Sequence, residues 1–255
     1  RREFMAWALA GGEEVGRALV AIERVADRWG GSGGPSPAGV DPRRVDALRA
    51  LAAAYPGDPG IAVSLLLHLV YLEPGEAIYL CARQLHAYMS GIAVEVMAAS
   101  DNVLRAGLTE KHVDVPELSR IVDPGELEEP RIAARPLAPG LVAWEPAVPD
   151  FRLLRARLRD PGEPEAGEGL LSARDDALAD RVTLEAPYPI VLIVTSGRVR
   201  VERRDAELEE VASVRRGQSL YVSAGGAIEL SGCGEAFLAT VGEGWPGVSQ
   251  LSSVT

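Results

Sequence analysis

Cysteine is nearly absent from this sequence, which holds only Cys81 and Cys233 in 255 residues. Two distant cysteines exclude a disulfide framework and any zinc site built on CxxC pairs, and they predict a reducing, cytoplasmic compartment. No apolar run approaches the roughly 18 residues of a membrane span, and no signal peptide opens the chain. Positive charge is also short: 26 basic against 37 acidic residues leave a formal net charge of −11. Such a surface repels phosphate backbones and anionic lipid, so no nucleic-acid or membrane partner is expected. Lysine occurs once, as Lys111, and every other basic residue is arginine. Either an arginine-rich composition left one lysine by chance, or a compact, deprotonatable amine is needed there. The chain starts at Arg1 and not at methionine, which predicts a piece of something longer. With 47% hydrophobic and 25% charged residues, it can build one large domain or two modest ones.

Two helices are predicted first. Val15, Leu19, Ile22, Val25 and Trp29 recur at helical spacing, and the stripe stops at Gly30-Gly31, where a Gly/Pro/Ser linker runs to Gly39. Asp41-Pro42 reads as an N-cap and first-turn proline, opening a helix through Val45, Leu48, Leu51 and Tyr55. Residues 56–60 end it. The period then changes. Residues 65–72 are apolar on both faces, as in a buried strand, which places His68 in a core. Further strands are predicted at 77–80, 87–89 and 92–98, the last two joined by a Ser90-Gly91 hairpin turn. Asp114-Val115-Pro116-Glu117 predicts a helix start with Leu118, Ile121 and Val122 as its apolar face.

The chain is then proline-rich to about Asp150, with a short strand near 151–158 and an acidic loop at 161–169. From Val182 it reads as strand throughout: 190–194, a Ser196-Gly197 turn, 199–202, 220–222, 227–230 and 236–241. Short strands between glycine turns predict a sandwich or barrel. The fold class is therefore mainly β (α+β). A helical segment at 1–60 leads into a β portion at 61–123, and a second, C-terminal β domain fills 124–255. The two β regions share an echo: residues 75–82 align with 217–224 at constant offset, which sets His86 opposite Ile228. Only the first region carries polar chemistry.

That chemistry gathers between residues 86 and 111: His86, Tyr88, Glu95, Asp101, Asn102, Arg105 and Lys111. If Ser90 and Gly91 are the loop of a two-residue hairpin, His86 pairs with Glu95, their Cβ atoms about 4.5–5.5 Å apart. Such a pair is a metal ligand with a carboxylate neighbour, an acid/base couple, or a hydrogen-bonded core pair. His112 reads as a surface residue, and both cysteines as small apolar fillers. No Ser-His-Asp spacing, Walker loop or Rossmann glycine run is present.

The same stretch resembles a known family. Glu73-Pro74-Gly75-Glu76-Ala77-Ile78-Tyr79-Leu80, Leu85-His86-Ala87-Tyr88, Glu95-Val96-Met97-Ala98, the run Ser100-Asp101-Asn102-Val103-Leu104-Arg105-Ala106-Gly107-Leu108-Thr109, and Lys111 resemble type I mannose-6-phosphate isomerase. These are zinc-dependent, cupin-fold enzymes, and the likeness is dense over about residues 61–123. It implies a cupin-like jelly-roll barrel and an enediol route between mannose 6-phosphate and fructose 6-phosphate. It implies His86 as one zinc ligand and Arg105 beside the reacting carbons of the sugar. Asp101 would be an acid/base or orienting carboxylate, Glu95 would line the site, and Lys111 would bind substrate. The family's other zinc ligands, a Gln-x-His pair and a Glu, lie upstream of the matched stretch, so Gln84 before Leu85-His86 is a coincidence of spelling. Relatives commonly carry Pro-Ala-Gly where this chain has Cys81-Ala82-Arg83, and proline in place of Glu110. A sugar phosphate is the partner expected, with a monomeric chain. The rival reading is a non-catalytic sugar-phosphate-binding or structural bicupin.

Overall fold

A computed structural model describes residues 1–29, 39–100, 102–127, 129–160, 177–204 and 209–242, in two compact units. Most of the predicted glycine-rich linker, 30–38, and the acidic loop at 161–169 lie outside the described residues.

The first unit comprises Arg1–Leu72, Leu80–Ile92 and Ser100–Pro130. Among its described residues are five helices: α1 (Arg2–Ala10), α2 (Glu13–Trp29), α3 (Pro42–Ala54), α4 (Gly60–Ser64) and α5 (Val115–Ile121). Two start where the capping residues predict. The Asp41 carboxylate accepts from the Arg43 N–H at 3.0 Å, and the Asp114 carboxylate accepts from the Glu117 N–H at 3.0 Å. Each satisfies a backbone donor that the first turn leaves open. Val15 and Leu19 of α2 bury against Ala8, Ile61, Ala62 and Val63. Met5, Leu118 and Val122 form a second cluster.

The strand predicted over 65–72 is not there. Its apolar run opens as the end of α4 and continues as turns, with the Leu65, Leu66 and Leu67 N–H groups bonded to carbonyls three residues back. The Arg44 guanidinium donates to the carbonyls of Leu65 and Leu67, acceptors that a ladder would have used. His68 is exposed and not a core residue. Apolar residues on both faces do not by themselves settle a strand, and residues 65–72 follow the short helix as turns and irregular chain. Cys81 and Cys233 are exposed as well, so neither fills a core.

The second unit comprises Glu73–Tyr79, Ala93–Ala99 and Arg131–Thr255. The strand predicted at 77–80 shortens to β1 (Ala77–Ile78), paired with β2 (Arg131–Ile132). The rest is one antiparallel sheet: β3 (Arg135–Ala138), β4 (Leu141–Trp144), β5 (Arg152–Leu158), β6 (Arg181–Leu184), β7 (Ile190–Arg204), β8 (Glu209–Arg215), β9 (Ser219–Val222) and β10 (Ile228–Thr240). Its order is β3-β4-β5-β10-β7-β8, with β6 also on β10 and β9 also on β7. The two long strands thus belong to both halves of the sheet, which share one core. Leu154, Leu184, Ile190, Leu192, Ile228, Leu230 and Leu238 are fully buried in it. The molecule is mainly β with a few helices.

The long strands correct the sequence reading. Ser196-Gly197 is not a turn but part of β7, beside a bulge. Val194 pairs with Ala236 and Ser196 with Glu235, leaving Thr195 as the extra residue. One inserted residue flips the alternation: Ile190, Leu192 and Val194 face the core before it, Val199 and Val201 after it. The Thr195 hydroxyl donates to Glu235 Oε1 at 2.6 Å across the bulge. Gly197 and Gly234 meet there; a Cβ on Gly197 would lie 2.0 Å from the Cys233 carbonyl oxygen, so only glycine fits.

The sequence echo has a structural counterpart. At one copy the Glu73 N–H donates to the Glu76 carboxylate and Glu76 N–H returns to the Glu73 carbonyl, both at 2.9 Å. At the other, Arg215 N–H donates to the Gln218 side chain at 3.0 Å and Gln218 N–H to the Arg215 carbonyl at 2.9 Å. Both turns lead into a strand through a glycine of positive φ, Gly75 and Gly217. Among the described residues, no helix is long and apolar enough to cross a membrane.

Candidate functional site

His86 follows a tight turn at residues 81–84. The Gln84 side chain folds back to accept the Cys81 N–H at 2.8 Å, so it is engaged in the turn and not offered as a ligand. Arg83 lies in the left-handed region at φ 73°, its Nε donating to the Ile121 carbonyl at 2.6 Å. The Asp123 N–H donates in return to the Arg83 carbonyl at 3.0 Å. Leu85 packs against both apolar clusters of the helical unit, and His86, next in sequence, is exposed. Its Nδ1 lies 3.2 Å from the Gln84 carbonyl. A nitrogen facing a carbonyl carries the proton, which leaves Nε2 with its lone pair free to ligate. The Tyr88 ring stands edge-on, 6.0 Å away between centroids.

Arg105 is presented in the same way. Leu104, Ala106 and Leu108 pack against the two clusters that hold Leu85, while Arg105 between them is exposed. Among the described residues its guanidinium has no ion-pair partner. The following loop is locked onto the turn after α3. Gly107 has φ 110°, and a Cβ there would fall 2.6 Å from Asp58 Oδ1 and 2.9 Å from the Gly60 backbone. Asp58 Oδ1 in turn accepts the Gly60 N–H at 2.6 Å. The predicted helix-ending turn at 56–60 is thus the seat of the Arg105 loop. Lys111 is exposed three residues before the α5 cap, its N–H donating to Thr109 Oγ1 at 3.1 Å.

The structure anchors His86, Arg105 and Lys111 on one helical unit. Glu95 is exposed on the segment 93–99, which belongs to the second unit. The hairpin predicted across Ser90-Gly91 has no strand ladder, so the cross-strand pairing of His86 with Glu95 is not formed. Asp101 lies outside the described residues. Among the described residues, no three His, Cys, Asp or Glu side chains converge on a metal-sized site. His86 offers an imidazole of the kind zinc binds, and among the described residues no group of three potential ligands includes it.

Sequence reasoning missed a set of buried charges in the second unit. Arg152 is 2% exposed and lies 2.5 Å from Glu145, which also accepts from Arg135 at 2.5 Å. The Arg135 hydrogen bond, then the Arg152 and Arg135 charges, hold the Glu145 carboxyl below its ordinary range against partial burial. Arg155 stacks over Trp144, which stacks on Phe237. Arginines spaced along β5 look like a solvated face in sequence, and only the covering layers make them interior. They belong to the sheet of the second unit.

No protein-family model matches the chain. It is similar to curated mannose-6-phosphate isomerases. It is 46% identical to that of Escherichia coli over 107 residues, 42% of this chain and 25% of that protein. It is 33% identical to the Bos taurus protein over 189 residues, 72% of this chain and 40% of that one. Among solved structures, the apo mannose 6-phosphate isomerase of Salmonella typhimurium matches with TM-score 0.70 and 27% identity, covering 94% of this chain and 54% of that one. The chain therefore spans a quarter to two fifths of these curated relatives, and about half of the solved one. Solved variants of the Salmonella enzyme replace, singly, a histidine, a glutamate nine residues later and an arginine ten residues beyond that.

Proposed function

We propose that this chain is the C-terminal portion of a mannose-6-phosphate isomerase and takes part in interconverting mannose 6-phosphate and fructose 6-phosphate. The observation that carries this reading is a spacing inside a 107-residue match at 46% identity. His86, Glu95 and Arg105 stand nine and ten residues apart, the same residue types in the same order and spacing as three of the residues replaced in the Salmonella variants. A cupin-like barrel with residues 61–123 as its site-bearing portion, a cytoplasmic location and a monomeric state belong to the same proposal.

The reaction moves a proton between C1 and C2 of the sugar through an enediol(ate). Bound zinc would polarise the sugar oxygens. His86 contributes one imidazole, its Nε2 set outward by the Nδ1 contact to the Gln84 carbonyl. Arg105 steadies the negative charge that develops on those oxygens, because its apolar neighbours fix the backbone and leave the guanidinium free. Asp101 orients the substrate or moves the proton, and Glu95 lines the site. Lys111, the sole lysine, offers a compact cation to the phosphate.

The test is a full-length enzyme in which this chain replaces the corresponding portion of the Escherichia coli relative. Isomerase activity above an Arg105→Ala control supports the proposal. A folded, zinc-loaded chimera with no activity, but with a melting shift on adding mannose 6-phosphate, would replace it with the non-catalytic binding reading.

A further inference from the structure

Arg83 is a bulky, non-glycine residue held at φ 73°, three positions before His86; among the described residues only Leu108, at φ 53°, shares that trait. Side chains enter this region at a cost, and a residue stays there only when its surroundings over-determine it. Here they do. The guanidinium Nε is tied to the Ile121 carbonyl at 2.6 Å, at the end of α5. The Arg83 carbonyl is tied to the Asp123 N–H at 3.0 Å, just past it. The turn is closed from within by Gln84 Oε1 on the Cys81 N–H. Two tethers outside the turn and one inside leave little freedom for the Gln84 peptide, whose carbonyl faces His86 Nδ1 at 3.2 Å.

We propose that Arg83 is a positioning residue for His86: by clamping the turn to the end of α5 it fixes the direction of the Gln84 carbonyl, and with it the tautomer and orientation of the imidazole. The purpose of that orientation rests on the reading of His86 as a metal ligand, but the geometry does not. A glycine would enter the left-handed turn freely yet could not hold it; arginine adds the tether that the backbone conformation alone lacks. The same helix follows the Lys111 loop, so the clamp ties the His86 turn to the element that ends that loop.

The test uses the 255-residue chain without metal, labelled with 15N. Long-range correlation spectra at about pH 8, where an ordinary imidazole is neutral, report which ring nitrogen carries the proton. Loss of signals in a His86→Gln variant assigns His86. The wild-type ring is expected mainly as the Nδ1–H tautomer. Arg83→Asn suits the left-handed backbone but lacks the reach to Ile121, and is expected to lower the Nδ1–H to Nε2–H ratio at least twofold with unchanged helical content. Arg83→Lys is expected to recover part of it. A wild-type His86 with the Nε2–H preference of free histidine, or an Arg83→Asn ratio equal to wild type, overturns the proposal. The wild-type measurement decides even if a variant misfolds. Because no metal or substrate enters it, this test can fail while the isomerase reading stands, and the reverse.

Discussion

Replacing Arg105 with alanine separates a catalytic guanidinium from a structural one by size of effect. On the structural side, little holds the side chain: it is exposed, and among the described residues no carboxylate pairs with it. Even if Asp101, four residues earlier, were to pair with it, an exposed ion pair contributes only about 0.2–1 kcal/mol. The anchoring of the segment comes from Leu104, Ala106 and Leu108, which the substitution leaves in place. Stability should therefore change by less than about 1 kcal/mol. On the catalytic side, losing a preorganised donor to a developing oxyanion lowers kcat by about 10²–10³-fold, roughly 2.7–4 kcal/mol. The two outcomes differ by more than the error of either measurement. The assay is a coupled isomerase assay on the full-length chimera beside a thermal melt of the same preparation. Arg105→Lys should restore activity only in part, because an ammonium cannot reproduce the planar fork. A kcat near normal in Arg105→Ala, with a melting temperature that falls by several degrees, would refute the assignment and make Arg105 a structural cation.

Gly107→Ala should destabilise the helical unit by about 2–4 kcal/mol, since the new Cβ meets backbone at positive φ; a denaturant melt of the variant checks this, and an unchanged midpoint would mean the loop is not seated on Asp58 and Gly60. Glu145→Gln should cost about 2 kcal/mol by leaving the buried Arg152 poorly compensated, discounted because Glu145 is a third exposed. The folded pKa of Glu145 is lowered, so its contribution is full above the ordinary value of 4.5 and is lost as pH falls through the depressed one. Wild type should therefore lose melting temperature faster than Glu145→Gln below that value, and parallel pH profiles would contradict the pairing. The 255-residue chain alone should not retain stoichiometric zinc through dialysis, because no three potential ligands converge among the described residues; metal analysis of the dialysed chain measures this.

Helices were legible where a stripe and a cap coincided. The N-caps at Asp41 and Asp114 and the stripe through Val15 and Leu19 all stand where the spacing placed them. The C-terminal strands were legible as apolar segments, but their continuity was not. Ser196-Gly197, which read as a turn, is where β7 and β10 approach too closely for a Cβ. The bulge left no signal in the letters, because residues 190–194 are apolar at every position and only burial shows the change of parity between Val194 and Val199. Buried Arg152 and Arg203 left no trace either, because their burial depends on which layers cover them. At the site, residue types and spacing were legible, and orientation was not. Nothing in the letters Cys81-Ala82-Arg83-Gln84 predicts a left-handed arginine tied to a helix end.

The segment 86–99 shows why a strand pattern is not a strand. It has the apolar alternation and the turn residues of a hairpin, and Gly91 takes the positive φ such a turn needs. Yet no ladder forms, and Tyr88, Ile92 and Met97 remain exposed, Ile92 completely. An isolated two-stranded hairpin is marginal in water, because two strands cannot bury a face between them. β7 and β10 hold their ladder because each has partners on both sides and a common core beneath. The pattern in 86–99 is therefore not sufficient to make an element by itself. His86 and Arg105 are held by Leu85, Leu104, Ala106 and Leu108 on the helical unit, while the stretch carrying Glu95 forms no strand ladder. Arg105 is thus the residue whose contribution a chimera should reveal first.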